Sequence, residues 1–158
     1  KTLLLLSKIE NGQFPQTSEV DMNALVADSI GLHQEVYGHK KIEAYVTGEE
    51  RLIMHIDEQM ASVLMGNLVK NAFLYTPEGG SIEIAMSSTG FSISNTGNAP
   101  LDKEKVFRRF YQPAGRREGA TGLGLALVYS VCINNGLDIR YDYAGGRHIF
   151  TLILKKSK

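Results

Sequence analysis

The alternation of apolar and polar positions divides the chain into a series of helices and strands. Residues 1–11, KTLLLLSKIEN, read as the end of a helix that Gly12 and then Pro15 stop. Four successive leucines leave this segment apolar over most of its surface, which predicts a helix that continues upstream and packs against a partner helix. Between 17 and 38 the pattern predicts a short edge strand and then a helix. Asp21 is its N-cap, and Met22, Leu25, Val26, Ile30 and Val36 lie close to a 3.6-residue period. KIEAYVTG (41–48) and RLIMHI (51–56) alternate as strands joined through a turn at Gly48. Asp57 caps a long helix whose apolar side carries Met60, Val63, Leu64, Leu68, Ala72 and Tyr75. SIEIAMS (81–87) and FSISN (91–95) form a hairpin turning near Gly90. Residues 96–121 have little period and predict a long loop holding one short helix, a kind of segment that compact domains usually keep for function. A helix from about 122 to 134 follows, and two strands, 137–144 and 148–154, close the chain across Gly145 and Gly146. The expected fold class is α+β: a mixed or antiparallel sheet covered on one face by helices.

Composition narrows the function classes. A chain of 158 residues fits one domain with a sizeable core. Seventeen basic residues balance seventeen acidic ones, so bulk electrostatic attraction to nucleic acid or an anionic membrane is not expected. The apolar runs, such as Leu3 to Leu6, fall far short of the roughly 20 residues of a membrane span, and no secretory signal pattern opens the chain. It begins with Lys1, which suggests a piece of something longer. The single cysteine, Cys132, sits in an apolar stretch, where it reads as a buried thiol in a reduced, cytoplasmic setting.

Four motifs carry candidate chemistry. In NLVKNAFLYT (67–76), Asn67 and Asn71 fall among the apolar positions of the long helix, not opposite them. Amides on that side cost several kcal/mol if left unpaired, so they need backbone, water, metal or ligand partners. In GATGLGLALV (119–128), glycines ahead of a helix present free N–H groups at its positive end, which suits a phosphate chain, and Thr121 adds a hydroxyl. The motif has no Gly-Lys-Ser/Thr and does not follow a strand, so it is neither a Walker loop nor a Rossmann fingerprint. In ISNTGNAP (93–100), a strand ends at Asn95, whose amide can accept from an exocyclic amino group, and Gly97 permits a tight turn. In VFRRFYQP (106–113), Val106, Phe107, Phe110 and Tyr111 read as an amphipathic hook that docks the loop, and Arg108, Arg109, Arg116 and Arg117 remain available to anions. His33, His39 and His55 show no metal-like spacing.

In this order and at these spacings, the four elements resemble the ATP-binding catalytic domain of sensor histidine kinases. That family belongs to a larger group with gyrase, the heat-shock chaperones and the mismatch-repair ATPases. NLVKNA resembles the N box, ISNTGNAP the first glycine box, VFRRFY the F box and TGLGLALV the second glycine box. LLLLSKIENGQF resembles the end of the second dimerisation helix, which implies a remnant and linker at 1–14 and the catalytic domain at 15–158. The fold this implies is the Bergerat-type two-layer α/β sandwich. Carried over, Asn71 holds the magnesium ion that bridges the ATP phosphates, and Asn67 lies by the phosphates as the catalytic amide. Tyr75 lines the pocket, Asn95 and Gly97 face adenine, and Thr121, Gly122, Leu123, Gly124 and Leu125 cradle the phosphate tail. Residues 98–121 form the lid, anchored by Phe107 and Phe110. The water-using ATPases resemble one another in a Glu at the position of Asn67; an Asn there fits transfer to a histidine, which needs mainly positioning and charge neutralisation. The implied partners are the protein's own dimerisation and phosphoacceptor domain, in a homodimer, and a response regulator receiver domain. The setting is cytoplasmic, as in the inner part of a membrane-anchored sensor.

The chain departs from the family pattern in four places. Asn95 stands where an Asp is usual, Ala99 where a third glycine is expected, and His148 where the closing strand tends to carry Thr. Leu74 stands where many members aim a Lys or Arg at the phosphates, which leaves Arg116 and Arg117 as candidate substitutes. If the alignment holds, Asn95 and His148 face the adenine together through water. A catalytically weakened nucleotide-binding regulatory module is the alternative these departures raise. A serine kinase of the anti-sigma type shares the fold, but the dimerisation-helix remnant speaks against it. No phosphoacceptor histidine followed by an acidic residue occurs, so self-phosphorylation by this chain alone is not expected.

Overall fold

The structure, a computed structural model, describes residues 2–14, 16–112 and 121–155. Helix α1 (Thr2–Glu10) is followed by strand β1 (Ser18–Asp21) and helix α2 (Met22–Val36). Asp21 caps α2 as expected, its carboxylate accepting from the Ala24 N–H. Strands β2 (Glu43–Thr47) and β3 (Ile53–Ile56) lead into α3 (Glu58–Tyr75), where the Asp57 carboxylate accepts from the N–H groups of Gln59 and Met60. The β4–β5 hairpin (Ser81–Ser87, Gly90–Thr96), helix α4 (Gly124–Asn134) and the β6–β7 hairpin (Leu137–Ala144, Arg147–Leu154) complete the chain.

The main sheet has five strands in the order β2-β4-β5-β7-β6, with β2 parallel to β4 and every other pair antiparallel. The strands at 41–48 and 51–56 do not pair with each other. β3 pairs with β1 in a separate two-stranded sheet, and β2 joins the main sheet beside β4. Gly48 has φ +94, and an added Cβ would stand 2.0 Å from the Met86 carbonyl, so the position suits glycine on both counts.

Period-two alternation decides which face is buried. Ile82, Ile84 and Met86 of β4, Phe91 and Ile93 of β5, and Phe150 and Leu152 of β7 point into the core. They meet Leu64, Leu68 and Ala72 of α3 and Val128 and Val131 of α4, so helices lie on one face of the sheet. α1 packs on α4 through Leu6 and Ile9, each 1% exposed. Among the described residues its packing partner is α4. Cys132 is fully buried and its thiol is pushed up to about 12, mainly by burial, which leaves it an inert part of the core.

The loop after β5 differs from expectation. Residues 103–110 form successive turns, with no helix among the described residues of 96–112. One i→i+4 bond, from the Val106 N–H to the Asp102 carbonyl, is followed by tighter turns through Arg108 and Tyr111.

Candidate functional site

A pocket of about 380 Å³ opens between the second half of α3, the end of β5 and the N-terminus of α4. Its size is that of small-molecule sites. From α3 it takes Asn67, Asn71, Leu74 and Tyr75, which share one side of that helix as the 3.6-residue period requires. Asn67 donates from Nδ2 to the Val63 carbonyl at 2.7 Å, which satisfies the amide locally and turns its oxygen towards α4. There the Oδ1 lies 3.1 Å from where a Cβ on Gly124 would stand. A side chain at Gly124 would crowd that amide, so glycine keeps α3 and the start of α4 close.

The start of α4 is built for donors. Its cap residue, Leu123, offers no side-chain hydrogen bond, and the first helical bond runs from the Leu127 N–H to the Leu123 carbonyl. The N–H groups of Gly124, Leu125 and Ala126 precede that bond, have no intrahelical acceptor and lie at the positive end of the helix dipole. Thr121 and Gly122 lead in, with the Thr121 hydroxyl accepting from the Leu123 N–H at 3.1 Å. Gly122 has φ +74, and an added Cβ would stand 2.7 Å from the Phe110 backbone. Its carbonyl accepts from the Phe110 N–H, tying the two ends of the loop together.

At the far end, Asn95 of β5 and His148 of β7 are register partners and both are buried, at 2% and 8% exposure. Asn95 donates from Nδ2 to the Thr96 carbonyl, which leaves its Oδ1 as the acceptor. His148 Nδ1 lies 2.7 Å from the Tyr141 hydroxyl, and that oxygen also accepts from the Leu101 N–H. Burial pushes the His148 imidazole below its ordinary value, towards the neutral form. Gly97 makes the close approach expected of it, but to His148: an added Cβ would stand 2.2 Å from the ring's Nε2.

Of the residues singled out from the sequence, the structure gathers Asn67, Asn71, Leu74, Tyr75, Asn95, Gly97, Ala99, Thr121, Gly122, Gly124, Leu125 and His148 around one pocket. Three others do not line it. Leu123 is buried in the core; Phe107 packs between Tyr129 and Phe150, with ring centroids 5.6 and 6.0 Å away. Phe110, expected to anchor the lid, is instead 61% exposed with φ +65, and the buried anchor of this segment is Val106. Phe110 is turned outward by the backbone bond that holds it to Gly122. Arg116 and Arg117 lie outside the described residues. Val106 and Tyr111 of the expected hook also line the pocket, and sequence reasoning passed over Lys70, Asn98, Leu101 and Phe150, which line it as well. Lys70 lies between the two asparagines, and Asn98 within the glycine-containing turn, so each was legible from its neighbours. Among the described residues no group of three or more His, Cys, Asp or Glu side chains is placed to hold a metal ion.

Residues 56–158 match the family described as histidine kinase-, DNA gyrase B- and HSP90-like ATPase, and the chain belongs to that family. Its relatives include sensor kinases. The sensor-like histidine kinase SenX3 of Mycobacterium tuberculosis is 31% identical over 163 residues, covering 96% of this chain and 40% of SenX3. The heme sensor protein HssS of Staphylococcus epidermidis is 32% identical over 137 residues, covering 83% of this chain and 30% of HssS. The chain thus spans two-fifths or less of these relatives' length. Among solved structures, the mycobacterial sensor histidine kinase MprB superposes with a TM-score of 0.75 at 25% identity, covering 87% of this chain and 97% of that one. The catalytic domain of the histidine kinase ThkA gives 0.76 at 25% identity, covering 89% and 96%. The histidine-kinase type of ATP-binding domain is therefore the class that fold and relatives define. No described helix is long and apolar enough to cross a membrane.

Proposed function

We propose that this chain is the ATP-binding catalytic domain of a two-component sensor histidine kinase and transfers the γ-phosphoryl of ATP to a histidine of its dimerisation domain. The observation that carries the reading is the facing of two surfaces across one pocket. Asn67 looks from α3 towards the start of α4, whose first N–H groups have no intrahelical acceptor, and Asn71 lines the same pocket. Donors at a helix N-terminus accept a phosphate chain without a dedicated cation cage. Asn95 presents its Oδ1 to the exocyclic amino group of adenine, in a buried end of the pocket where that bond is strong.

Magnesium fits this donor set as an ion shared with the nucleotide. A hard cation takes oxygen ligands, and the Asn71 amide oxygen supplies one where phosphate and water supply the rest. Such an ion would neutralise charge on the phosphates. Asn67 has no proton-accepting carboxylate with which to activate water, which favours transfer to a protein side chain over hydrolysis. The neutral imidazole of the acceptor is itself the nucleophile, so this chain's residues need to align and shield the phosphates.

In this reading residues 1–14 are the end of a dimerisation helix and its linker, 15–158 the catalytic domain, and about 96–121 the lid. Arg116 and Arg117 are candidate phosphate contacts on that lid. The full protein is a homodimer that hands the phosphoryl group to a response regulator, with this domain on the cytoplasmic side. The histidine kinase ThkA, solved in complex with the response regulator protein TrrA, has the same fold.

Calorimetry with a non-hydrolysable ATP analogue, with and without magnesium, tests the reading. Binding strengthened by magnesium, with that gain reduced about tenfold or more in Asn71→Ala, is expected. Phosphorylation of the separate dimerisation domain in trans then distinguishes a kinase from a weakened regulatory module. Absence of binding at millimolar nucleotide would remove the proposal.

A further inference from the structure

We infer that Lys70 is the cation that grips the nucleotide's phosphate chain, doing from one helical turn earlier what Leu74 has no charge to do. The assignment rests on the pocket being a nucleotide site. Among the described lining residues there is no Asp, Glu or Arg, and Lys70 carries the one fixed charge. A pocket that receives a polyanion through amides and backbone N–H groups alone leaves most of its charge to solvent and metal. One ammonium at its wall changes that balance, because a charge-assisted hydrogen bond is roughly twice as strong as a neutral one.

Placement supports the role. At about 100° per residue Lys70 lies some 60° around α3 from Asn67, on the flank away from Asn71. Leu74 is four residues on, on the same flank, 9% exposed and outside the main core cluster. The two side chains are therefore neighbours on the helix surface. A lysine stem can lie along that leucine and carry its ammonium to the pocket, as long charged side chains do on apolar surfaces. Lys70 is half-buried, and none of the ion pairs among the described residues involves it.

Three other cations of the described residues have partners of their own. Arg109 is paired with Glu10, and Lys103 with Asp142. Arg147 donates to Ser81, Ser94 and Thr96, all outside the charged part of the pocket. An ammonium with no carboxylate partner among the described residues, at the wall of a cleft whose described lining carries no other fixed charge, is poised for an anion that arrives with its ligand.

Moving the charge tests the assignment. The magnesium complex of a non-hydrolysable ATP analogue is titrated into the wild type, Lys70→Leu and the exchange variant Lys70→Leu/Leu74→Lys, with adenosine followed by NMR shifts as the phosphate-free probe. Lys70→Leu should weaken the analogue about ten- to a hundredfold and leave adenosine binding and the thermal midpoint unchanged. The exchange variant should recover most of the loss, which a packing role for Lys70 would not produce. Analogue binding in Lys70→Leu equal to wild type, with loss instead in Arg116→Ala/Arg117→Ala, would overturn the assignment while leaving the nucleotide site standing. A wild-type chain that binds neither probe would overturn both.

Discussion

His148 occupies the space that a side chain at position 97 would fill, and its chemistry follows from that confinement. Tyr141 accepts from the Leu101 N–H, so its own proton is free to donate to His148 Nδ1, which suits a neutral ring protonated at Nε2. The titratable groups against the ring are Tyr141 and Tyr143, and neither offers an anion that would hold a proton on it. Burial keeps the folded-state pKa below the ordinary 6.5. The unfolded chain therefore binds this proton first as the medium is acidified. The stability tied to neutral His148 is fully present above about pH 6.5 and is lost as the pH falls through the lowered folded value. Thermal melts at several pH values between about 7.5 and 5 should show a steeper loss of midpoint on acidification in the wild type than in His148→Gln. Parallel profiles would mean that the ring titrates alike in the folded and unfolded chain. The resemblance set this histidine beside the adenine, but its packing against Gly97 was not legible in the sequence. What hides it is the missing side chain at Gly97, which the sequence showed but could not pair with position 148. Lys70 was obscured for the opposite reason: a lysine beside a polar pair reads as solvated until the pocket is seen to reach it.

Alternation and caps made most elements readable. Asp21 and Asp57 cap α2 and α3 where expected, and 81–87 and 91–95 bury the predicted alternate residues. Pairing was less legible than the strands themselves. A period of two tells which face of β2 and β3 is apolar, but not that β2 would find β4 beyond the intervening α3, leaving β3 to β1. The short helix expected within 96–121 is absent from the described residues 96–112, where Phe107 and Phe110 do not share a face: one enters the core and the other turns out at a left-handed residue. On the sheet, Arg147 joins strands that the backbone ladder alone would leave more independent. Its guanidinium donates to the Ser81 and Ser94 carbonyls and to the hydroxyls of Ser81, Ser94 and Thr96, spanning β4, β5 and β7. Hydrogen bonds from a charged group contribute more than neutral ones, and part of the set would pass to water on truncation. Arg147→Ala should therefore destabilise the domain by about 2 kcal/mol in urea unfolding, well beyond the usual surface substitution. A change within about 0.5 kcal/mol would mean the three strands hold together without it.

At the scale of the molecule, α1 is held to the rest of the chain by two kinds of contact of unequal strength. Leu6 and Ile9 are buried to 1% exposure against the core, and α4 is the helix they meet. Glu10 forms a two-oxygen contact with Arg109 at 2.6 and 2.8 Å, linking α1 to the loop that runs past the pocket. The apolar contact should dominate. Removing a buried leucine side chain down to Ala costs about 2–5 kcal/mol through lost burial and the cavity left behind. The ion pair has side chains 49% and 44% exposed, where screening and side-chain entropy leave such pairs at about 0–1 kcal/mol even with favourable geometry. Leu6→Ala should therefore lower the unfolding free energy several-fold more than Glu10→Gln, and only the effect of Glu10→Gln should shrink as salt rises towards 1 M. Nearly equal losses would show that the link between α1 and the pocket loop, and not burial, fixes this helix. The unequal division matters for signalling in the proposed kinase. An apolar dock gives α1 a stable seat on α4, and an exposed pair of small net worth lets the pocket loop leave Glu10 without unseating the helix.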